Sequence, residues 1–326
     1  MSSEAPIFIG TEVVERVLTW KELVEALRAA YTLDHDEHIS PPRTFARGDG
    51  ASLRALVSVP PGKRFMGAKV FGRGRNQGMN YLISLVEQDT GEIRALLDGN
   101  KITAYRTAAT SALAVDCLAP HRPLRLGVLG SGAEARAHVQ AIGALRKVES
   151  LQVYSPTAAN RERFARDFEA SLGVPCRAVS SAASAMDGVD VGIAAARSRD
   201  ETPILHADDL HPGMVVVSVG STLPQQRELD ASVIAQCDLI VCDTPDEVVS
   251  QSGDMLGARA KGIEFDAKVL SLNRLVRGEI GKDAKLPLFK SVGSALQDIV
   301  AAELVYELAI REGFATGLPI SFTYKQ

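Results

Sequence analysis

Long hydrophobic runs are missing from this chain of 326 residues. The longest, such as Met214–Val219, have strand length and fall far short of a bilayer span, so no membrane partner is expected. Aromatic residues are scarce, at 5%, and no basic stripe interleaves with them; with a formal net charge of -4, nucleic acid is excluded as the expected partner. Cysteine is scarce as well. Cys117, Cys176, Cys237 and Cys242 lack metal-type spacing and read as reduced thiols of a cytoplasmic protein. Met1–Ile9 shows no positive segment leading into an apolar one, so secretion is not expected. His35 and His38, in Asp34-His-Asp-Glu-His38, resemble ligand spacing but have no partner ligands nearby; they are read as a solvated loop or helix end, and no metal is expected. His206 and His211 flank a loop after Pro203 and are read as structural or surface groups. Neither a nucleophile elbow nor a pair of catalytic carboxylates emerges.

What is present is 46% apolar and 23% charged residues, a globular composition with room for two domains. The informative feature lies mid-chain. Leu124–Leu129 reads as a buried strand, Gly130-Ser131-Gly132-Ala133-Glu134-Ala135 follows at once, and a helix is expected from Glu134 to Lys147. In this G-x-G-x-x-A pattern the first glycine allows a tight turn and the second lets backbone approach a pyrophosphate. The small Ala135 lets the helix pack close, and the helix N-terminus offers free N–H groups. Gly130, Ser131, Gly132, Ala133 and Glu134 are therefore expected to hold a dinucleotide.

Apolar strands then alternate with helices: Leu151–Tyr154, a helix Asn160–Leu172 stopped by Gly173, Asp190–Ala195, Met214–Val219, a short helix around Glu228–Gln236, and Leu239–Asp243. That alternation predicts an α/β Rossmann domain with a doubly wound parallel sheet over residues 119–293. Residues 1–118 read as α+β. They carry an amphipathic helix Thr19–Tyr31, strands Ser52–Val59, Met66–Phe71 and Tyr81–Glu87, a turn at Asp89-Thr90-Gly91, and a helix Ile102–Leu118. A strong helix at Ser294–Glu312 is expected to pack back on that first domain, so residues 294–326 complete it and make it discontinuous.

The second Rossmann strand runs out as Val153-Tyr154-Ser155-Pro156-Thr157, with no acid until Glu162. An aspartate or glutamate there would bind the ribose 2′-hydroxyl of NAD; Ser155, Thr157 and Arg161 suit the 2′-phosphate of NADP instead. NADP is favoured over NAD, with helix capping as the other use of these residues.

Five segments in order resemble the ornithine cyclodeaminase/mu-crystallin family over nearly the whole chain: Pro42-Arg43, Gly67-Ala68-Lys69, Asp98 to Ala109, Gly127 to Gly132, and Phe289 to Gly293. The resemblance implies a dimerising substrate domain joined to a Rossmann domain, and hence a homodimer. It implies that Arg43, Lys69 and Arg106 hold a substrate α-carboxylate, a chemistry suited to forked guanidiniums and a point cation. It places Asn80, Thr107, Val219, Ser291, Val292, Gly293 and Asp298 near the cofactor, although Asn80 would equally cap a strand and Asp298 would equally start a solvated helix face. Two positions depart from the cyclodeaminases. Val57 stands where a glutamate grips the distal amine, and Thr222 stands where an aspartate handles protons. A valine cannot neutralise an ammonium, and a threonine is no general base near neutrality.

Val57 and Val59 suggest instead an apolar substrate pocket, and no ionisable acid is expected opposite the three cations. The resulting expectation is an NAD(P)H-dependent ketimine reductase. Lys69, Arg106 and Thr222 would serve a hydride transfer to C2 of a small imino acid such as 1-pyrroline-2-carboxylate or 1-piperideine-2-carboxylate. An ornithine cyclodeaminase-type lyase and a non-enzymatic binding protein for NADP and a carboxylate ligand stay open as alternatives.

Overall fold

The structure is a computed structural model that describes residues 5–34, 37–76, 78–281 and 283–323. His35 lies outside the described residues. The chain divides into two compact units, Met1–Thr110 with Ser294–Gln326, and Ser111–Gly293. The division falls inside the helix Gly99–Leu118, not at its end, because one continuous helix serves both units.

In the first unit, strands β1 (Ile7–Ile9), β2 (Thr44–Gly48), β3 (Ala51–Ser58), β4 (Phe65–Arg73), β5 (Met79–Glu87) and β6 (Ile93–Asp98) form a sheet ordered β1-β6-β5-β4-β3-β2, with Thr316–Gly317 added outside β1. Only the β1–β6 pair within β1–β6 is parallel. Register decides which side chains share a face: Lys69 lies opposite Leu56 on one side and Ile83 on the other. Helix Trp20–Thr32 packs against helix Ala295–Arg311, which covers that face. Thr19 starts the first of them by accepting the Glu22 N–H, and Leu23, Val24, Leu27, Ala30 and Tyr31 form its buried stripe. Ser294 and Gln297 form a reciprocal capping box at the start of the second, whose Ile299, Ala302, Val305 and Leu308 are buried.

The second unit holds an all-parallel sheet of β7 (Leu124–Leu129), β8 (Val148–Tyr154), β9 (Cys176–Ala178), β10 (Val191–Ala194), β11 (Val215–Ser218), β12 (Leu239–Cys242), β13 (Val269–Ser271) and β14 (Pro287–Lys290). Its order, β13-β12-β14-β11-β10-β7-β8-β9, reverses direction between β7 and β10. Ligands of open α/β sheets bind outside the carboxyl ends of the strands at such a switch point. β10, β11, β12 and β14 are buried along their whole length, which is why they read as unbroken apolar runs.

Two sequence expectations change here. The helix expected around Glu228 starts only at Ala231, where Asp230 accepts the Ser232 N–H, and leaves Glu228 in a buried loop. Asn80 lies within β5 instead of before it. No described helix is long and apolar enough to cross a membrane.

Candidate active site

In the first unit the clamp is built from β4, the helix Gly99–Leu118 and the C-terminal helix. Lys69 and Arg106 are both buried, and between them sits a carboxylate that the sequence did not reveal in that place. Asp298 Oδ1 accepts from Arg106 Nε at 2.9 Å, and Oδ2 pairs with Lys69 Nζ at 2.6 Å. Asp298 is fully buried. It neither begins a solvated helix face nor leaves the cations without an acid, so both expectations are corrected. The reason is long-range: the capping box turns the first turn of the C-terminal helix toward the sheet, 192 residues from Arg106 in sequence. Gln297 adds a second grip, accepting from Arg106 Nη1 at 2.8 Å and donating to the Tyr31 hydroxyl at 2.9 Å.

A guanidinium carries five N–H groups. Asp298 takes the Nε hydrogen of Arg106 and Gln297 one of the two on Nη1, so the two Nη2 hydrogens are bonded to neither acceptor. Lys69 Nζ also reaches the Thr103 hydroxyl at 3.5 Å. Burial pushes Lys69 down to about 7; Asp298 opposes that fall, while Arg106 and Arg43 add to it, so Arg43 lies within electrostatic reach of the pair.

Other expected contacts do not form on this face. Val57 pairs with Ala68, so it projects from the sheet face opposite Lys69, and it is 48% exposed, as is Val59. Val57 therefore does not share a sheet face with Lys69. Asn80 pairs with Gly72 and shares the Val57 face. There it borders a shallow cavity of about 380 Å³ with Phe8, Leu53 and Leu82. Thr107 donates its hydroxyl to the Thr103 carbonyl within its own helix.

In the second unit, Gly130 has φ +116, and a Cβ there would meet the Ala195 carbonyl oxygen at 2.8 Å, so only glycine makes this turn without strain. A Cβ on Gly132 would meet nothing within 4 Å. That open space lies at the N-cap of the helix Ala133–Leu145, with Ala135 buried beneath and Glu134 exposed. A bare helix N-terminus with room beside it fits a pyrophosphate. Ser131 and Ser155 hydroxyls meet at 3.0 Å. Thr157 is the N-cap of the helix Ala158–Leu172, yet its side chain makes no capping bond. Arg161 folds back, donating to the Ser155 carbonyl at 2.9 Å, which parks a guanidinium beside the turn after β8.

Two further carboxylates shape this unit. Glu228 accepts from Ala196 N at 3.0 Å, Val219 N at 3.1 Å, Gly220 N at 2.9 Å and the Ser218 hydroxyl at 2.6 Å. It therefore ties the ends of β10 and β11 together. Burial and Asp254 push Glu228 up to about 7, against Lys290 and these donors. Lys290 pairs with Asp254 at 2.9 Å. Asp243 accepts from the Ser291 hydroxyl at 2.6 Å, Val292 N at 3.2 Å and Gly293 N at 2.8 Å, fixing the segment expected to line the cofactor. Thr222 gives its N–H and hydroxyl to Gln226 Oε1 at 2.8 and 3.2 Å, so its oxygen remains an acceptor. His206 caps a short helix, His211 is half-buried, and no cluster able to hold a metal occurs among the described residues.

A glycine turn at the switch point of an all-parallel sheet, with an open helix N-terminus, defines a Rossmann dinucleotide-binding protein. The ornithine cyclodeaminase/mu-crystallin family model matches residues 14–313, and the chain belongs to that family. It is 28% identical over 322 residues to the Delta(1)-pyrroline-2-carboxylate reductase of Bacillus cereus (strain ZK / E33L), covering 94% of this chain and 98% of that protein. It is 34% identical over 228 residues to the ketimine reductase mu-crystallin of Rattus norvegicus, covering 69% of this chain and 68% of that one. The Delta(1)-pyrroline-2-carboxylate reductase of Thermococcus litoralis, solved with NADH and L-proline, superposes with TM-score 0.85 at 26% identity, over 96% of this chain and 100% of that chain.

Proposed function

We propose that this protein is an NAD(P)H-dependent reductase of small α-imino acids, taking a cyclic ketimine such as 1-pyrroline-2-carboxylate to the amino acid. The observation that carries it is the buried pair Lys69 and Arg106, two cations sharing the single carboxylate of Asp298. A substrate carboxylate accepting from Nη2 of Arg106 and the remaining ammonium hydrogen of Lys69 balances that charge. The relatives named for imine reduction support this reaction class.

The cofactor is a nicotinamide dinucleotide, which supplies the hydride when bound. Gly130 and Gly132 make its turn, Glu228 and Asp243 hold the surrounding backbone, and Arg161 with Ser155 and Thr157 favours a 2′-phosphate. Thr222 commits its proton to Gln226, so its oxygen remains a hydrogen-bond acceptor. With the imine nitrogen protonated by solvent, these residues chiefly position and orient, and no strong general base is required.

A second copy of the chain is expected on the sheet face opposite Lys69, where Phe8, Leu53, Val57 and Leu82 are each at least 40% exposed. Leu82→Glu should then shift the particle mass in light scattering from dimer to monomer.

Loss of nicotinamide absorbance with 1-pyrroline-2-carboxylate, in stoichiometry with proline formed, tests the reductase. Ammonia release from ornithine with no net absorbance change would favour the cyclodeaminase instead. Thermal stabilisation by NADP and a carboxylate, with neither turnover, would favour a binding protein.

A further inference from the structure

We propose that Asp298 is the internal counter-ion of the clamp: a positioning residue that keeps Lys69 protonated and aims Arg106, and not a cofactor ligand. The inference rests on the carboxylate-clamp reading of the same site. Its geometry is complete within one unit. Asp298 is fully buried, Lys69 is 2% exposed and Arg106 is 5% exposed, so water cannot substitute for the missing partner of any of them. One helical turn supplies both acceptors for Arg106, Asp298 Oδ1 on Nε and Gln297 Oε1 on Nη1. Because Ser294 and Gln297 cap that turn reciprocally, the acceptors are held by the helix, and they grip the guanidinium at Nε and Nη1 and not at Nη2. An acidic group in a first helical turn is also favoured by the partial positive charge of the helix end.

The charges that face Lys69 are few. Asp298 comes from the C-terminal helix, Arg106 from the helix Gly99–Leu118, and Arg43 from the segment before β2. The Thr103 hydroxyl is at 3.5 Å, and the rings of Phe71 and Tyr81 lie at 5.5 and 5.9 Å. Asp298 is thus the acid that opposes two guanidiniums and the loss of hydration. With it, Lys69 titrates at about 7; without it, the ammonium would shed its proton well below that. Lys69 would then be a neutral amine even at pH values near and just below 7, where the wild-type side chain holds its proton, and a poor carboxylate ligand.

The test uses the full-length protein labelled with 13Cε-lysine, the Lys69 resonance being assigned by its loss in Lys69→Arg. In Asp298→Asn the titration midpoint should fall by at least about one pH unit, and in Asp298→Glu it should stay within about half a unit of wild type. Asp298→Ser, smaller and without amide hydrogens facing the cations, serves if the asparagine variant does not fold. Binding of pyrrole-2-carboxylate, a planar carboxylate that cannot be reduced here, is measured in parallel. Asp298→Asn should weaken it on the order of tenfold at pH 8 and much less at pH 6. An unchanged Lys69 midpoint, or weakening that is equal at both pH values, overturns the proposal. If wild type binds no carboxylate at all, the clamp itself fails, while the lysine titration still judges Asp298.

Discussion

The two units handle buried charge in opposite ways. In the substrate unit, two buried cations lean on one side-chain carboxylate, Asp298, and one carboxamide, Gln297. In the dinucleotide unit the buried acids Glu228, Asp243 and Asp254 lean largely on backbone, accepting from Ala196, Val219 and Gly220, from Val292 and Gly293, and from Glu228 and Leu229 respectively. A carboxylate that accepts several amide N–H bonds fixes loop shape and has its lone pairs filled. A guanidinium gripped at Nε and Nη1 keeps its Nη2 donors. The first arrangement makes a rigid cradle, the second a binding group, and the same buried ions serve both ends.

That contrast can be broken at its most exposed point by Arg106→Ala. It removes the donor edge and strands Asp298 beside Lys69, so kcat/KM for the imino acid should fall by roughly 2–5 kcal/mol, about thirty-fold to a few thousand-fold. Steady-state kinetics with saturating cofactor would show it, and a loss below about tenfold would remove Arg106 from the clamp.

On the other side, Glu228→Gln swaps an acceptor for an amide whose hydrogens face N–H donors. About 1–3 kcal/mol should be lost, appearing as a cofactor dissociation constant raised some five- to a hundred-fold while carboxylate binding to the first unit is nearly untouched. Fluorescence titration with the reduced dinucleotide checks this, and equal damage to both ligands would mean the units are not separable in this way.

The pH dependence should also divide by unit. Burial lowers Lys69 to about 7, so the ammonium is present below that pH and lost above it. For an anionic substrate, kcat/KM should therefore decline several-fold as pH rises from 7 to 9, since that ratio reports the free enzyme. A flat profile over that range would contradict a titrating Lys69 in the clamp. The smallest effect is expected from Arg161→Ala, which should cut the NADPH to NADH preference by a few-fold without altering the reaction with NADH. Ratios of kcat/KM for the two cofactors decide it.

The legible parts of the site were those whose partners are near in sequence. Gly130 and Gly132 sit between a strand and the helix they start, so spacing alone carries the dinucleotide turn. Thr157 and Arg161 lie three and seven residues after the end of β8, and the same local logic makes them candidates for a 2′-phosphate. Val57 shows where that logic ends. Its alternation with neighbours within β3 was visible, but the face it shares with Lys69 or avoids depends on the β3–β4 register, which pairs Val57 with Ala68. Glu228 read as the start of a helix because its four donors lie 8 to 32 residues away, on strand ends that only the parallel sheet brings together.

By itself the sequence determined that this chain folds as a Rossmann unit inserted into an α+β unit, that it belongs to the cyclodeaminase and mu-crystallin lineage, and where the glycine turn after β7 lies. These follow from periodicity, glycine geometry and short motifs, all of them local physics. Only the tertiary structure decided that Asp298 stands between Lys69 and Arg106, that Val57 and Asn80 face the other way, and that Glu228 and Asp243 hold the backbone after β10, β11 and β14. Those depend on strand register and helix packing, where residues far apart in the chain meet because burying them unpaired would cost more than burying them together.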